Sequence, residues 1–181
     1  MSRIGKKKIN IPEGVEVTTA DREIKIAGSS GEQTFRLPQG ISASIAENQI
    51  SVNRDGDSKS LRSLQGTANR IIKNMVDGIS AGFSKKLQYK GVGFTAVVAG
   101  EELQMRLGFS HPIIVPIPKS LKVTVLKNTI NIEGAKKEEV GAFAAKIRAI
   151  KKPEVYKGKG IKYEDEFIKR KAGKAAQTTT T

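Results

Sequence analysis

The residues whose types and spacing point most clearly to a chemistry lie in Lys151-Lys152-Pro153-Glu154-Val155-Tyr156-Lys157-Gly158-Lys159-Gly160-Ile161-Lys162-Tyr163. Lys152, Lys157, Lys159 and Lys162 supply charge that neutralises phosphate. Gly158 and Gly160 let the backbone run close to another surface, because glycine has no Cβ. Tyr156 and Tyr163 offer flat rings on which a base or sugar packs. The combination reads as a docking strand for structured nucleic acid, working by contact and not by bond-making. The cations continue through Lys169, Arg170, Lys171 and Lys174. A solvated, flexible basic tail is the bland alternative for such a charge run.

Two further basic patches stand apart from this segment. Lys85, Lys86 and Lys90 form one, and its position in the more basic half of the chain favours a binding role. Arg3, Lys6, Lys7 and Lys8 form the other, which reads equally well as a phosphate-contacting arm or as a solvated cluster.

Constellations for catalysis are not apparent. His111 is the single histidine and the chain has no cysteine, so a metal site would lack convergent ligands and disulfides are excluded. Glu138-Glu139 at a helix start suits the helix dipole, and Glu164-Asp165-Glu166 balances neighbouring lysines. Gly91-Val92-Gly93-Phe94 has dinucleotide-fingerprint spacing, but the alternation of Phe94, Ala96 and Val98 reads as strand, where the motif needs a helix. A close backbone approach between strands accounts better for these glycines. Gly158-Lys159-Gly160 lacks the rest of a phosphate-binding loop. No catalytic residue, metal or cofactor is expected.

The chain has 181 residues and a formal net charge of +14. Residues 1–82 hold 12 Lys/Arg against 9 Asp/Glu, and residues 83–181 hold 20 against 9. A charge this large and this uneven points to a polyanionic partner lying against the second half. No apolar run approaches the roughly 20 residues needed to span a bilayer, and no signal-peptide core follows the basic start. A soluble, intracellular protein with no membrane partner is expected.

The elements that must position these residues come in two copies. Pro38, Ile41, Ala43, Ile45, Asn48, Ile50 and Val52 recur as Pro118, Leu121, Val123, Val125, Asn128, Ile130 and Ile132, at an offset of 80. Each copy alternates apolar and polar residues on both sides of an Asn-containing turn, which predicts a β-hairpin with one buried face. A helix follows each hairpin. Leu61, Leu64, Ala68, Ile71, Met75 and Ile79 mark the inner face of the first; Val140, Phe143, Ala144, Ile147 and Ile150 mark that of the second. Earlier strands are predicted at 23–27 and 34–37, then at 94–98, 103–107 and 113–117, with 87–89 as a strand bridging the copies. The fold class is α+β: two tandem duplicated domains, each a mainly antiparallel sheet covered by one helix. The boundaries read 1–82, 83–152, a basic extension of the second domain over 153–175, and a low-complexity, disordered tail over 176–181.

Residues 153–163 resemble the signature of the bacterial large-subunit ribosomal protein L six family. Ser2 to Pro12, Asn74-Met75-Val76-Asp77-Gly78, Gly91 to Phe94 and Arg170 to Lys174 are similar to that family as well, so the likeness covers residues 1–175 in order. The resemblance implies a non-enzymatic structural constituent of the large subunit in the cytoplasmic ribosome. It implies binding to 23S rRNA chiefly by the C-terminal domain, beneath the sarcin–ricin region near the elongation-factor site. Neighbouring large-subunit proteins and translation factors would then lie close by.

On this reading residues 151–174 leave the second domain as an extended arm along an RNA helix or junction. Gly158 and Gly160 give the close approach, so valine at both is expected to cripple binding and spare the fold. Tyr156 and Tyr163 either stack on RNA or anchor the arm to its own domain. Recognition is of shape and backbone, because side chains cannot read the A-form major groove. The same charge would also suit an architectural DNA-binding protein, though no helix-turn-helix or zinc pattern supports one; a phosphate-handling enzyme is a third class.

Overall fold

Ile24 and Ile26 sit two positions apart and are both fully buried, as expected for one face of a strand. They belong to β3 (Glu23–Gly28), which pairs antiparallel with β2 (Val15–Ala20) and β4 (Gly31–Arg36). The computed structural model describes Gly5 and residues 7–171. It divides into two units: one runs through Phe83 and takes in Gly134–Lys137, and the other comprises Ser84–Glu133 and the chain from Glu138 onward.

In the first unit a second sheet is ordered β1 (Ile9–Asn10), β6 (Gln49–Arg54), β5 (Ile41–Ala46). The β5–β6 hairpin turns through Glu47 and Asn48, both at positive φ, the geometry that matches strand twist in a two-residue loop. Asn48 also donates its side-chain amide to the Ile11 carbonyl at 3.0 Å, tying the entering chain to the hairpin. Helix α1 (Lys59–Ser80) starts at Ser58, whose hydroxyl accepts the Leu61 N–H, and packs against β3 and β6. Its inner face is rotated from the predicted one: Gln65, Ala68, Asn69, Ile72, Met75, Val76 and Ile79 are buried, while Leu64 is exposed. Polar Gln65 and Asn69 disguised that face. They are buried because each is satisfied, Gln65 by the Val52 carbonyl and Arg54, Asn69 by the carbonyls of Gly5 and Lys7.

The second unit repeats the pattern. A three-stranded sheet holds β8 (Thr95–Ala99), β9 (Glu102–Arg106) and β10 (Ile113–Pro116). A four-stranded sheet runs β11 (Leu121–Leu126), β12 (Thr129–Gly134), β7 (Phe83–Lys90), β13 (Gly160–Tyr163). The β11–β12 hairpin lies 80 residues after β5–β6, strand for strand. Helix α2 (Lys137–Ile150) buries Val140, Phe143, Ala144 and Ile147 as the periodicity predicts. Glu138 and Glu139 fall in its first turn. The fold class is α+β.

One detail differs from the sequence reading. Gly91 and Gly93 do not serve a strand–strand approach: Gly93 sits at φ +72 in the turn before β8, and the Phe94 ring lies over Gly91 where a Cβ would collide. The predicted disorder at 176–181 lies outside the described residues.

Candidate nucleic-acid interface

Pro153 lacks an N–H and keeps α2 from continuing. The chain then closes a tight loop, with the Glu154 N–H donating to the Lys159 carbonyl at 2.9 Å and the Gly158 N–H to the Glu154 carbonyl at 3.1 Å. It enters the sheet as β13, antiparallel to β7, with Gly160 opposite Lys90, Ile161 opposite Tyr89 and Lys162 opposite Gln88. Ile161 is fully buried and anchors the strand. After a turn at Tyr163–Glu166 the chain returns, and the Lys171 N–H donates to the Val155 carbonyl at 3.0 Å.

The expected extended arm is therefore corrected. Residues 151–171 do not leave the second unit; they supply its edge strand and fold back upon themselves. The glycines are also reassigned. Gly160 stands at φ +140, and a Cβ there would lie 2.6 Å from the Lys152 carbonyl oxygen and 2.7 Å from the Pro153 Cα. Its close approach is to its own chain, so valine at this position would damage the fold. Gly158, at φ +70, faces the Arg170 guanidinium.

Glu166 holds the returning segment. Its carboxylate accepts two N–H groups from Arg148 on α2 and the Tyr163 N–H at 3.1 Å, while the Lys162 ammonium donates to its carbonyl at 3.2 Å. The Arg148 hydrogen bonds hold the Glu166 carboxyl below the usual glutamate range, against the opposing effect of burial. The same bonds push Arg148 upward.

The two tyrosines differ in their surroundings. Tyr163 anchors: Arg148 and Lys85 both approach its ring, at 5.8 and 5.7 Å from the centroid. Tyr156 is 53% exposed on the 154–159 loop.

Of the residues singled out from sequence, Lys90, Gly158, Gly160, Lys162 and Arg170 line one open groove of about 980 Å³. Tyr156, Lys157 and Lys159 are exposed on the loop that carries Gly158. Lys152, Lys169 and Lys171 are exposed on the flanking segments. Lys86 pairs with Glu164 at 3.8 Å, and Lys85 is drawn to Tyr163, so neither lines the groove. Lys174 lies outside the described residues. Sequence reasoning missed Lys127, Gln88, Asn128 and Phe167 in the groove wall. Lys127 was hidden in a hairpin turn; an aromatic set between Lys162 and Arg170 was the available signal for Phe167.

The first unit carries a smaller basic cleft of about 540 Å³, lined by Lys7, Lys8, Arg70 and Lys73 with Asp77. Arg3 and Lys6 lie outside the described residues. His111 is exposed and touches Ser110 at 3.4 Å. Among the described residues no group of three or more His, Cys, Asp or Glu could hold a metal ion, and no helix is long and apolar enough to cross a membrane.

Comparison with known proteins agrees with this architecture. The family model described as Ribosomal protein L6 matches residues 11–82 and again 90–164, one match in each copy of the repeat. The chain is 43% identical to the large ribosomal subunit protein uL6 of Helicobacter hepaticus, over 98% of this chain and 99% of that protein. It is 46% identical to the uL6 of Chlamydia felis, over 98% of each. It is 49% identical to that of Syntrophomonas wolfei, over 97% of this chain and 98% of the relative. Matched in both of its repeats and along nearly its whole length, the chain belongs to the ribosomal protein L6 family.

Proposed function

We propose that the chain is a structural constituent of the large ribosomal subunit in the cytoplasmic ribosome, binding 23S rRNA chiefly through its second unit. It is not an enzyme; the family is a structural component of the ribosome. The observation that carries the RNA reading is the groove in which Lys90, Lys127, Lys162 and Arg170 converge beside a fixed edge strand. Four cations converging on one concave surface suit a phosphate backbone. Recognition is by shape and charge. The resemblance adds the address: beneath the sarcin–ricin region, near the elongation-factor site, with other large-subunit proteins as neighbours.

Sedimentation of cell lysate in low magnesium tests this. The chain is expected to travel with free large subunits and to stay there in moderate salt. Replacing Lys90 and Arg170 together by glutamate is expected to shift it to the top of the gradient. Migration of the wild-type chain as a free small protein, or with chromosomal DNA, would overturn the proposal.

A further inference from the structure

Phe167 is 89% exposed and lines the cationic groove. A phenylalanine has no polar tip to hold it in water, and among the described residues this ring is left almost wholly uncovered. The backbone leading into it is nevertheless held. The preceding residue, Glu166, is fixed through its N–H to the Tyr163 carbonyl, through its carboxylate to Arg148 and the Tyr163 N–H, and through its carbonyl to Lys162. The ring therefore projects from a backbone already ordered, which lowers the entropy cost of packing something against it.

Charge indicates what that partner is. Lys90, Lys127, Lys162 and Arg170 line the same groove as the ring, and the carboxylate that lines it, Glu166, is engaged by Arg148. Gln88 and Asn128 add amide donors and acceptors on the same wall. A protein partner would call for a wall depleted of charge around its aromatic anchor. A paired RNA helix cannot use the ring, since its bases are stacked on one another; an unpaired nucleotide presents both a π-face and a phosphate.

We infer that this groove takes an unpaired RNA nucleotide, with its base stacked on Phe167, its edge toward Gln88 and Asn128, and its phosphates on the surrounding cations. The inference rests on the RNA-binding function proposed above and narrows it to an RNA bulge or loop.

The test uses the full chain and two RNA hairpins, one fully paired and one with a single-nucleotide bulge bearing 2-aminopurine. Stacking on an aromatic ring is worth about 5- to 150-fold in affinity per base. The wild-type chain is expected to prefer the bulged hairpin within that range and to quench the probe. Phe167→Leu is expected to lose preference and quenching, and Phe167→Tyr to retain both. Tight, salt-sensitive binding of both hairpins with no preference would overturn the stacking inference and leave RNA binding intact. Failure to bind either hairpin would overturn the RNA reading itself. A Phe167→Leu variant that binds both RNAs normally but is lost from assembled subunits would also sink the inference and mark the ring as a protein contact.

Discussion

Glu166 is the residue on which the arrangement of the C-terminal segment turns. One carboxylate joins α2, β13 and the returning chain through Arg148 and the Tyr163 N–H. Its carboxyl is held below the usual glutamate range in the folded state, while Arg148, already basic, moves further upward and stays charged at any ordinary pH. The unfolded chain therefore binds the Glu166 proton first as pH falls. The contribution is complete above the ordinary glutamate value of about 4.3 and decays as pH drops from there through the lowered folded value. Amide-exchange protection of Ile161 and Tyr163 is expected to be constant from neutral pH down to that point and to fall below it. Glu166→Gln is expected to remove this acid dependence and to cost about 2 kcal/mol, the scale of hydrogen bonds to a charged group. Protection that changes mainly between pH 6 and 8 would contradict the assignment. At the same scale, Tyr163 is committed to Arg148 and Lys85 while Tyr156 is exposed on its loop. Sequence could not separate them, because a tyrosine among cations looks the same whether the cations are its own or a neighbour's.

Among the elements, β13 shows most clearly what sequence conceals. Gly160-Ile161-Lys162-Tyr163 sits in a charge run, and only Ile161 contributes a fully buried apolar side chain. One buried residue in four gives no alternation, so the strand was read as a free arm. The hairpins β5–β6 and β11–β12, with several inward-facing residues each and the same turn 80 residues on, were legible strand for strand. Strand β2 was missed although Val15 and Val17 alternate, because Val-Glu-Val-Thr-Thr-Ala carries only two strongly apolar side chains and neither is fully buried. The inner face of α1 was misplaced by buried Gln65 and Asn69, whose hydrogen bonds exist only in the folded chain. The place of β13 in the sheet gives a direct prediction. Gly160→Val adds a side chain where φ is +140 and where the Lys152 and Pro153 backbone already stands. A non-glycine strain of about 1–3 kcal/mol and a similar overpacking cost together predict a loss of about 2–6 kcal/mol in urea unfolding. Gly158→Ala, which meets only the Arg170 side chain at 3.5 Å, is expected to lose about 1–2 kcal/mol from its left-handed backbone. Wild-type stability for Gly160→Val would show that β13 is not held as described.

For the molecule as a whole, duplication and charge pull in different directions. The family match recurs in both copies, yet the excess cations lie in the second half, where the added β13 and returning segment build a groove. Three of the four groove cations, Lys90, Lys162 and Arg170, were already singled out in sequence, because charge is visible without folding. It could not assemble the groove, because Lys90, Lys127 and Lys162 are brought together only by the β12–β7–β13 strand order. Release of counterions from an RNA backbone is the physical signature of such a surface. The most direct measurement is the affinity of the full chain for a 23S rRNA fragment across a salt series, set beside the Lys90→Ala/Arg170→Ala variant. With about four phosphates neutralised by the groove cations, the wild-type log–log slope is predicted at roughly −3 to −4. The variant is predicted to be shallower by about 2, one for each lost phosphate contact. A flat wild-type slope, or a variant with the wild-type slope, would contradict the account.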